Sequence, residues 1–280
     1  MGLLPDGCLD FVYADPPFFT GRELRGSAAK RKGKADVVIP GGEVPVFSDA
    51  WPGGLAEYLA WLSARLAEMR RLLGPRGTLV LHCDHHACHY LKVELDRLFG
   101  PGSFVNEIIW CYKSGGASPK RHFSRKHDNL FLYAMGPSYY FKPQREKSYN
   151  RELKPYRFAG VEEHQDAMGW YTLVGMKDYW ELDMVGRTSA ERLGYPTQKP
   201  ERLLERLLVS LAPEGGTVGD FFSGSGTTAA VAQRLGLGFI ACDDSKAAVD
   251  LAARRLTRAG QGQQAGGPAL PDLLIEVLER

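Results

Sequence analysis

The feature that most constrains the fold is a rhythm in the last third of the sequence: helix, strand, glycine turn, helix, strand, helix. A helical pattern over residues 201–211 precedes an apolar run at 217–222 and the turn Ser223-Gly224-Ser225-Gly226. A helical stretch near 227–235, a second apolar run at 238–242 and a helix at 246–258 follow. Strands separated by single helices cannot pair as hairpins, so this order predicts a mostly parallel sheet with helices on both faces, a doubly wound, Rossmann-like α/β fold. The 280 residues are enough for one such domain with an insertion.

The first half carries the same grammar. Leu9-Asp10-Phe11-Val12-Tyr13-Ala14 reads as a short buried strand, and it must end at Asp15 because Pro16 and Pro17 cannot donate to a ladder. Residues 21–45 are rich in Gly, Lys and Arg and predict a mobile loop. Leu55, Leu59, Leu62, Leu66, Met69 and Leu73 alternate spacings of four and three, the stripe of an amphipathic helix packing on a core. A strand at 78–83, a helix at 86–99 and a strand at 104–112 follow.

Between 113 and 181 the character changes. Lys113, Lys120, Arg121, Arg125 and Lys126 are followed by further cations interleaved with aromatics such as Phe123, Tyr139, Tyr149 and Tyr156. Lysine and arginine hold phosphates while aromatic faces meet bases, so this segment is a candidate to contact nucleic acid. Residues 129–134 predict one strand returning to the main sheet. The expected organisation is thus a main domain over 1–112 and 182–259, a basic and aromatic insertion over 113–181, and a linker and tail over 260–280.

Glycines at a strand-to-helix turn let the backbone approach a ligand closely. In Asp220-Phe221-Phe222-Ser223-Gly224-Ser225-Gly226-Thr227-Thr228 they mark a cofactor loop, with Asp220, Phe222, Ser223, Gly224, Ser225, Gly226, Thr227 and Thr228 as candidate contacts. The following strand ends in Asp243, where such folds use an acid to accept from ribose hydroxyls, with Asp244 a competitor. The loop lacks both a Gly-Lys-Ser/Thr ending and the third glycine of the dinucleotide fingerprint, so a nucleoside bearing an amino-acid tail suits it better than a polyphosphate.

The net charge of +2 permits a nucleic-acid partner without demanding one. Cys8, Cys83, Cys88, Cys111 and Cys242 are odd in number and form no C-x-x-C pair, which argues for reduced thiols, no disulfide framework and no zinc ribbon. No apolar stretch approaches a spanning length, so a protein of the cytoplasm with no membrane partner is expected.

The motifs and their order resemble the β class of amino-group DNA methyltransferases. Asp15-Pro16-Pro17-Phe18 comes first, Tyr195-Pro196-Thr197-Gln198-Lys199-Pro200 follows far downstream, and the Asp220–Thr228 loop comes last, with the basic insertion between the first two. Leu72–Asp84 (LLGPRGTLVLHCD) and Asn106–Gly116 (NEIIWCYKSGG) match as well, so the resemblance spans nearly all of residues 3–258. It implies S-adenosylmethionine as cofactor, Thr197, Gln198 and Lys199 as further cofactor contacts, and double-stranded DNA with a flipped base as substrate. It allows for a cognate restriction endonuclease and for a homodimer. Similar proteins carry a His-Cys-Asp ending to the second strand, so His82-Cys83-Asp84-His85-His86 reads as structural, and no metal is expected.

The chemistry gives the first motif its purpose. An exocyclic amine on an aromatic base is a poor nucleophile because its lone pair is delocalised into the ring. Asp15 and the Pro16 carbonyl can accept its two N–H bonds and free the lone pair, Pro17 helps to fix the turn, and Phe18 offers a stacking face. The methyl group would pass directly from sulfonium to nitrogen in line, with catalysis largely by positioning.

Aspartate rather than serine at the head of the motif points to N6 of adenine, with N4 of cytosine as the alternative. C5 methylation needs a Pro-Cys nucleophile that the sequence lacks. Two departures stand out. Phe221 replaces the family's usual proline, and the sequence begins a few residues before the first strand, where the family usually has another strand and a short helix beside the cofactor. The second departure keeps an impaired DNA-binding subunit in view. A nucleotide-dependent oxidoreductase would explain the glycine turn but leave the other motifs without purpose.

Overall fold

The computed structural model describes residues 1–26, 44–113 and 119–262. In chain order the elements are β1 (Leu9–Ala14), β2 (Glu23–Gly26), β3 (Val44–Ser48), α1 (Gly54–Leu72), β4 (Leu73–Cys83), α2 (Cys88–Phe99), β5 (Phe104–Cys111) and β6 (His127–Ala134). After these come β7 (Arg145–Tyr149), β8 (Glu163–Gln165), β9 (Trp170–Gly175), β10 (Tyr179–Glu181), α3 (Glu201–Leu211), β11 (Thr217–Asp220), α4 (Thr227–Arg234), β12 (Gly238–Ala241) and α5 (Lys246–Gly262).

Seven strands form the main sheet in the order β10-β5-β6-β4-β1-β11-β12. Only β6 runs against its neighbours; the pairings β10–β5, β4–β1, β1–β11 and β11–β12 are all parallel. Alternate residues of each strand face opposite sides. Leu9, Val12, Leu79, Leu81, Phe131 and Tyr133 pack with α1 and α2 on one face. Phe11, Tyr13, Val80, Leu130, Leu132 and Val218 pack with α3 and α4 on the other. This is the expected doubly wound α/β architecture.

The order places β1 at a reversal of direction. From β1 the chain crosses through α1 to β4 on one side; β11 lies on the other side and leads through α4 to β12. In open α/β sheets a crevice forms outside the carboxyl ends of strands at such a point.

Several local expectations are revised. The predicted loop at 21–45 opens and closes with strands, because β2 and β3 pair antiparallel; residues 27–43 of that prediction lie outside the described residues. The helix expected from 86 begins at Cys88, because Asp84 accepts from the His86 N–H and shapes a turn first. The strand expected to reach 222 stops at Asp220, whose own carboxylate takes the Phe222 N–H and bends the chain away. Two strands from the 113–181 segment join the main sheet rather than one, since β10 pairs with β5. Between them β7, β9 and β8 form a separate antiparallel sheet. No helix of the described residues is long and apolar enough to cross a membrane.

Candidate active site

Asp15, Pro16, Pro17 and Phe18 leave the carboxyl end of β1. The turn is held from outside its own sequence. Asp49, fully buried, accepts from Phe19 N (3.0 Å), Thr20 N (2.7 Å), Thr20 Oγ1 (2.6 Å) and Trp51 Nε1 (2.9 Å). Tyr58 of α1 donates to the Pro17 carbonyl at 2.7 Å. Phe19 has φ +63°, a left-handed conformation that L side chains disfavour, and the Asp49 bonds on either side of its peptide hold it there. Sequence reasoning missed Asp49 and Tyr58; neither sits in a motif, and only the fold brings them to the turn.

Behind Asp15 lies a buried polar chain. His82 of β4 is fully buried, with Tyr13 Oη 2.7 Å from Nδ1 and Asp128 Oδ2 3.1 Å from Nε2. An ionised carboxylate only accepts, so Nε2 donates to Asp128. Burial alone would raise the Asp128 pKa, but the hydrogen bond and charge of His82, the Lys199 charge and the Tyr112 hydroxyl outweigh it and hold the carboxyl below the usual range. Burial, reinforced by Asp15 and the other nearby carboxylates, pushes the Tyr13 phenol well up. His82 also faces the Phe18 ring, with ring centres 5.2 Å apart, so the polar chain buttresses the whole turn.

The glycine loop leaves β11 at the neighbouring strand end; Tyr13 of β1 pairs with Asp220 in the parallel register. Asp220 is buried, and desolvation lifts its pKa to about 7 despite hydrogen bonds from Thr228 and Phe222 N. Gly224 and Gly226 have positive φ, and a Cβ on Gly226 would stand 2.6 Å from Ala252 Cβ, so α4 and α5 can approach only across a glycine. Ser223 N donates to Cys242 O at 3.1 Å, and Gly224 N to Asp243 Oδ2 at 2.8 Å. Asp243 Oδ1 takes Ser245 N at 3.0 Å, and burial raises this carboxyl's pKa. Ser225 and Thr227 lie within a buried network anchored by Arg255, which reaches Ser225 O, Thr227 Oγ1 and Glu201. Phe222 is half-buried against Trp61, with ring centres 5.8 Å apart.

The 195–200 segment closes the gap between the two strand ends. Gln198 is buried and bonded within its own segment, accepting from Leu193 N at 2.8 Å and donating to Glu191 O at 2.6 Å. The half-buried Thr197 offers its carbonyl 3.5 Å from Lys199 Nζ. Lys199 reaches Asp15, with Nζ 2.5 Å from Oδ2 and 5.1 Å from the centre of the Phe18 ring. Sequence alone grouped Lys199 with the cofactor contacts; the fold sets it on the first motif.

The sequence profile of the N6/N4 DNA methylase family matches residues 9–254. The chain belongs to this family. The DNA adenine methyltransferase YhdJ of Escherichia coli is 24% identical to this DNA methylase over 261 residues, covering 90% of this chain and 78% of the relative. The type II methyltransferase M.HpaI of Haemophilus parainfluenzae is 26% identical over 257 residues, covering 90% and 69%. Among solved structures, the cytosine-N4-specific PvuII DNA methyltransferase superposes with TM-score 0.58 at 16% identity, covering 90% of this chain and 80% of that one. The M1.HpyAVI–SAM complex does so with TM-score 0.55 at 18% identity, covering 89% of each. These two likenesses speak to the fold.

The remaining candidates of the methylase lie on its surface. Lys113, Lys120, Arg121 and Arg125 are exposed and Lys126 is half-buried; Phe123 beside them is 96% exposed. Asp84, His85 and His86 bring one ligand atom each within 4.8 Å of one another, a grouping that the fold explains through the Asp84 turn before α2.

Proposed function

We propose that this DNA methylase transfers the methyl group of S-adenosylmethionine to N6 of a flipped-out adenine in double-stranded DNA. What carries this reading is the adjacency of an acceptor turn and a glycine loop at the carboxyl ends of the paired parallel strands β1 and β11. An aspartate rather than a serine heads the acceptor turn, which on the resemblance favours N6 of adenine, and a relative across most of the chain is a DNA adenine methyltransferase.

The donor set suits a nucleoside with an amino-acid tail: a backbone turn at Ser223–Gly226, the aromatic face of Phe222, and the acids Asp220, Asp243 and Asp244 at the ends of β11 and β12. S-adenosylmethionine would supply a sulfonium-bound methyl group there. Asp15 and the Pro16 carbonyl accept the two N–H bonds of the amine and Phe18 stacks the base, which orients the nitrogen lone pair towards the methyl group. One N–H proton leaves through the Asp15 carboxylate as nitrogen gains carbon. Residues 113–181 form the target-recognition unit in this reading, with Lys113, Lys120, Arg121, Arg125 and Lys126 on phosphates.

The test is transfer of labelled methyl from S-adenosylmethionine to genomic DNA, followed by nucleoside separation. Label in N6-methyl-2′-deoxyadenosine is expected. Label in N4-methylcytosine would replace adenine by cytosine, and no label in DNA would overturn the reading.

A further inference from the structure

Asp15 offers its two oxygens unequally. Oδ1 is buried, 3.4 Å from His82 Nδ1, and has no hydrogen-bond partner among the described residues. Oδ2 holds the Lys199 ammonium at 2.5 Å, in a pair whose side chains are only 14% and 11% exposed. The same ammonium stands 5.1 Å from the centre of the Phe18 ring. Lys199 therefore occupies the Oδ2 acceptor and lies beside the stacking face that an incoming amino base would use.

We propose that Lys199 is a placeholder, a positioning residue whose ammonium stands in for the exocyclic amine and yields Oδ2 to the base. This rests on the methyltransferase reading given above. A largely buried carboxylate stripped of its partner is strongly disfavoured, so Lys199 can withdraw only as another N–H donor arrives. A base with an amino group brings one; an abasic sugar does not. Lysine suits the task because its flexible stem carries a compact, rotatable donor, and the Thr197 carbonyl already lies 3.5 Å from Nζ as an alternative partner. After methylation the amine retains one N–H instead of two, so the ammonium competes better for Oδ2 and the product leaves more readily.

The test begins by mapping methylated sites on genomic DNA treated with the wild-type protein. A duplex carrying such a site, and the same duplex with an abasic target position, are then titrated by fluorescence anisotropy against wild type, Lys199→Ala and Lys199→Met. Both variants are expected to favour the base-bearing duplex over the abasic one about tenfold more than wild type does, because no ammonium has to be displaced. The abasic duplex reports intact folding and backbone contacts, and Lys199→Met keeps the stem should the alanine variant fold poorly. A ratio that is unchanged or lower overturns the placeholder role while leaving the methyltransferase reading standing. Absence of any methylated base overturns the reading and the placeholder together.

Discussion

Two aspartates end neighbouring parallel strands at the same edge of the sheet, yet their surroundings differ sharply. Asp15 follows β1 and has an ammonium at 2.5 Å, with a deeper wall of His82, Tyr13 and Asp128 behind it. Asp220 closes β11 and takes neutral donors, Phe222 N and the Thr228 hydroxyl; burial pushes it up to about 7. Adjacency in the sheet fixes the distance between two sites, while the third element brought to each decides its chemistry. The 195–200 segment brings charge to Asp15, and α4 brings packing to Asp220. In the proposed function the first offers an acceptor to the base and the second shapes a loop.

The comparison can be broken most severely at Asp49, which belongs wholly to the Asp15 side. Asp49→Ala removes the acceptor for four donors around the turn. It should cost about 3 kcal/mol in urea unfolding and roughly a hundredfold in single-turnover methyl transfer, with cofactor affinity changed little. On the other side, Gly226→Ala forces a Cβ to within 2.6 Å of Ala252 Cβ at φ +71°. It should lower stability by about 2 kcal/mol and weaken cofactor binding measured by calorimetry, while methyl transfer at saturating cofactor falls less.

Asp220→Asn sharpens the contrast through pH. The folded protein holds the Asp220 proton up to about pH 7, whereas an unfolded chain releases it near the ordinary aspartate value. Stability from this group is therefore lost as pH rises from about 4 to about 7 and is level above that. The variant should flatten that decline and gain on wild type by roughly 4 kcal/mol at pH 8 relative to pH 4, read from thermal unfolding at both values. The smallest effect is expected for Tyr58→Phe. Losing the donor to the Pro17 carbonyl should lower stability by about 1 kcal/mol and slow methyl transfer severalfold, with cofactor binding unaffected.

The sheet was largely legible because its strands are apolar runs bounded by Gly, Pro or Asp, and because the stripe from Leu55 to Met69 lies on α1 as its spacing demands. Short elements were not. The three residues of β10 carry no periodicity, and only pairing with β5 makes them a strand. Among the site residues, Asp15 and the glycine loop announced themselves through punctuation. Asp49 did not, since its partners at Phe19 and Thr20 are some thirty positions away. Lys199 was visible as a motif residue, but its partner lies 184 positions upstream and no local pattern could link them. Gln198 entered as a cofactor contact through the resemblance, and no local pattern showed that its amide ties Glu191 and Leu193 together.

In the proposed function Asp15 performs the chemistry while Asp220 shapes the cofactor loop. Single-turnover methyl transfer to DNA, measured across cofactor concentrations for Asp15→Asn and Asp220→Asn, tests it most directly. The account predicts that Asp15→Asn lowers the saturating rate by roughly a hundredfold to a thousandfold with cofactor affinity nearly intact, whereas Asp220→Asn acts mainly by raising the cofactor concentration required. An Asp15→Asn protein that transfers methyl at close to the wild-type rate would contradict it.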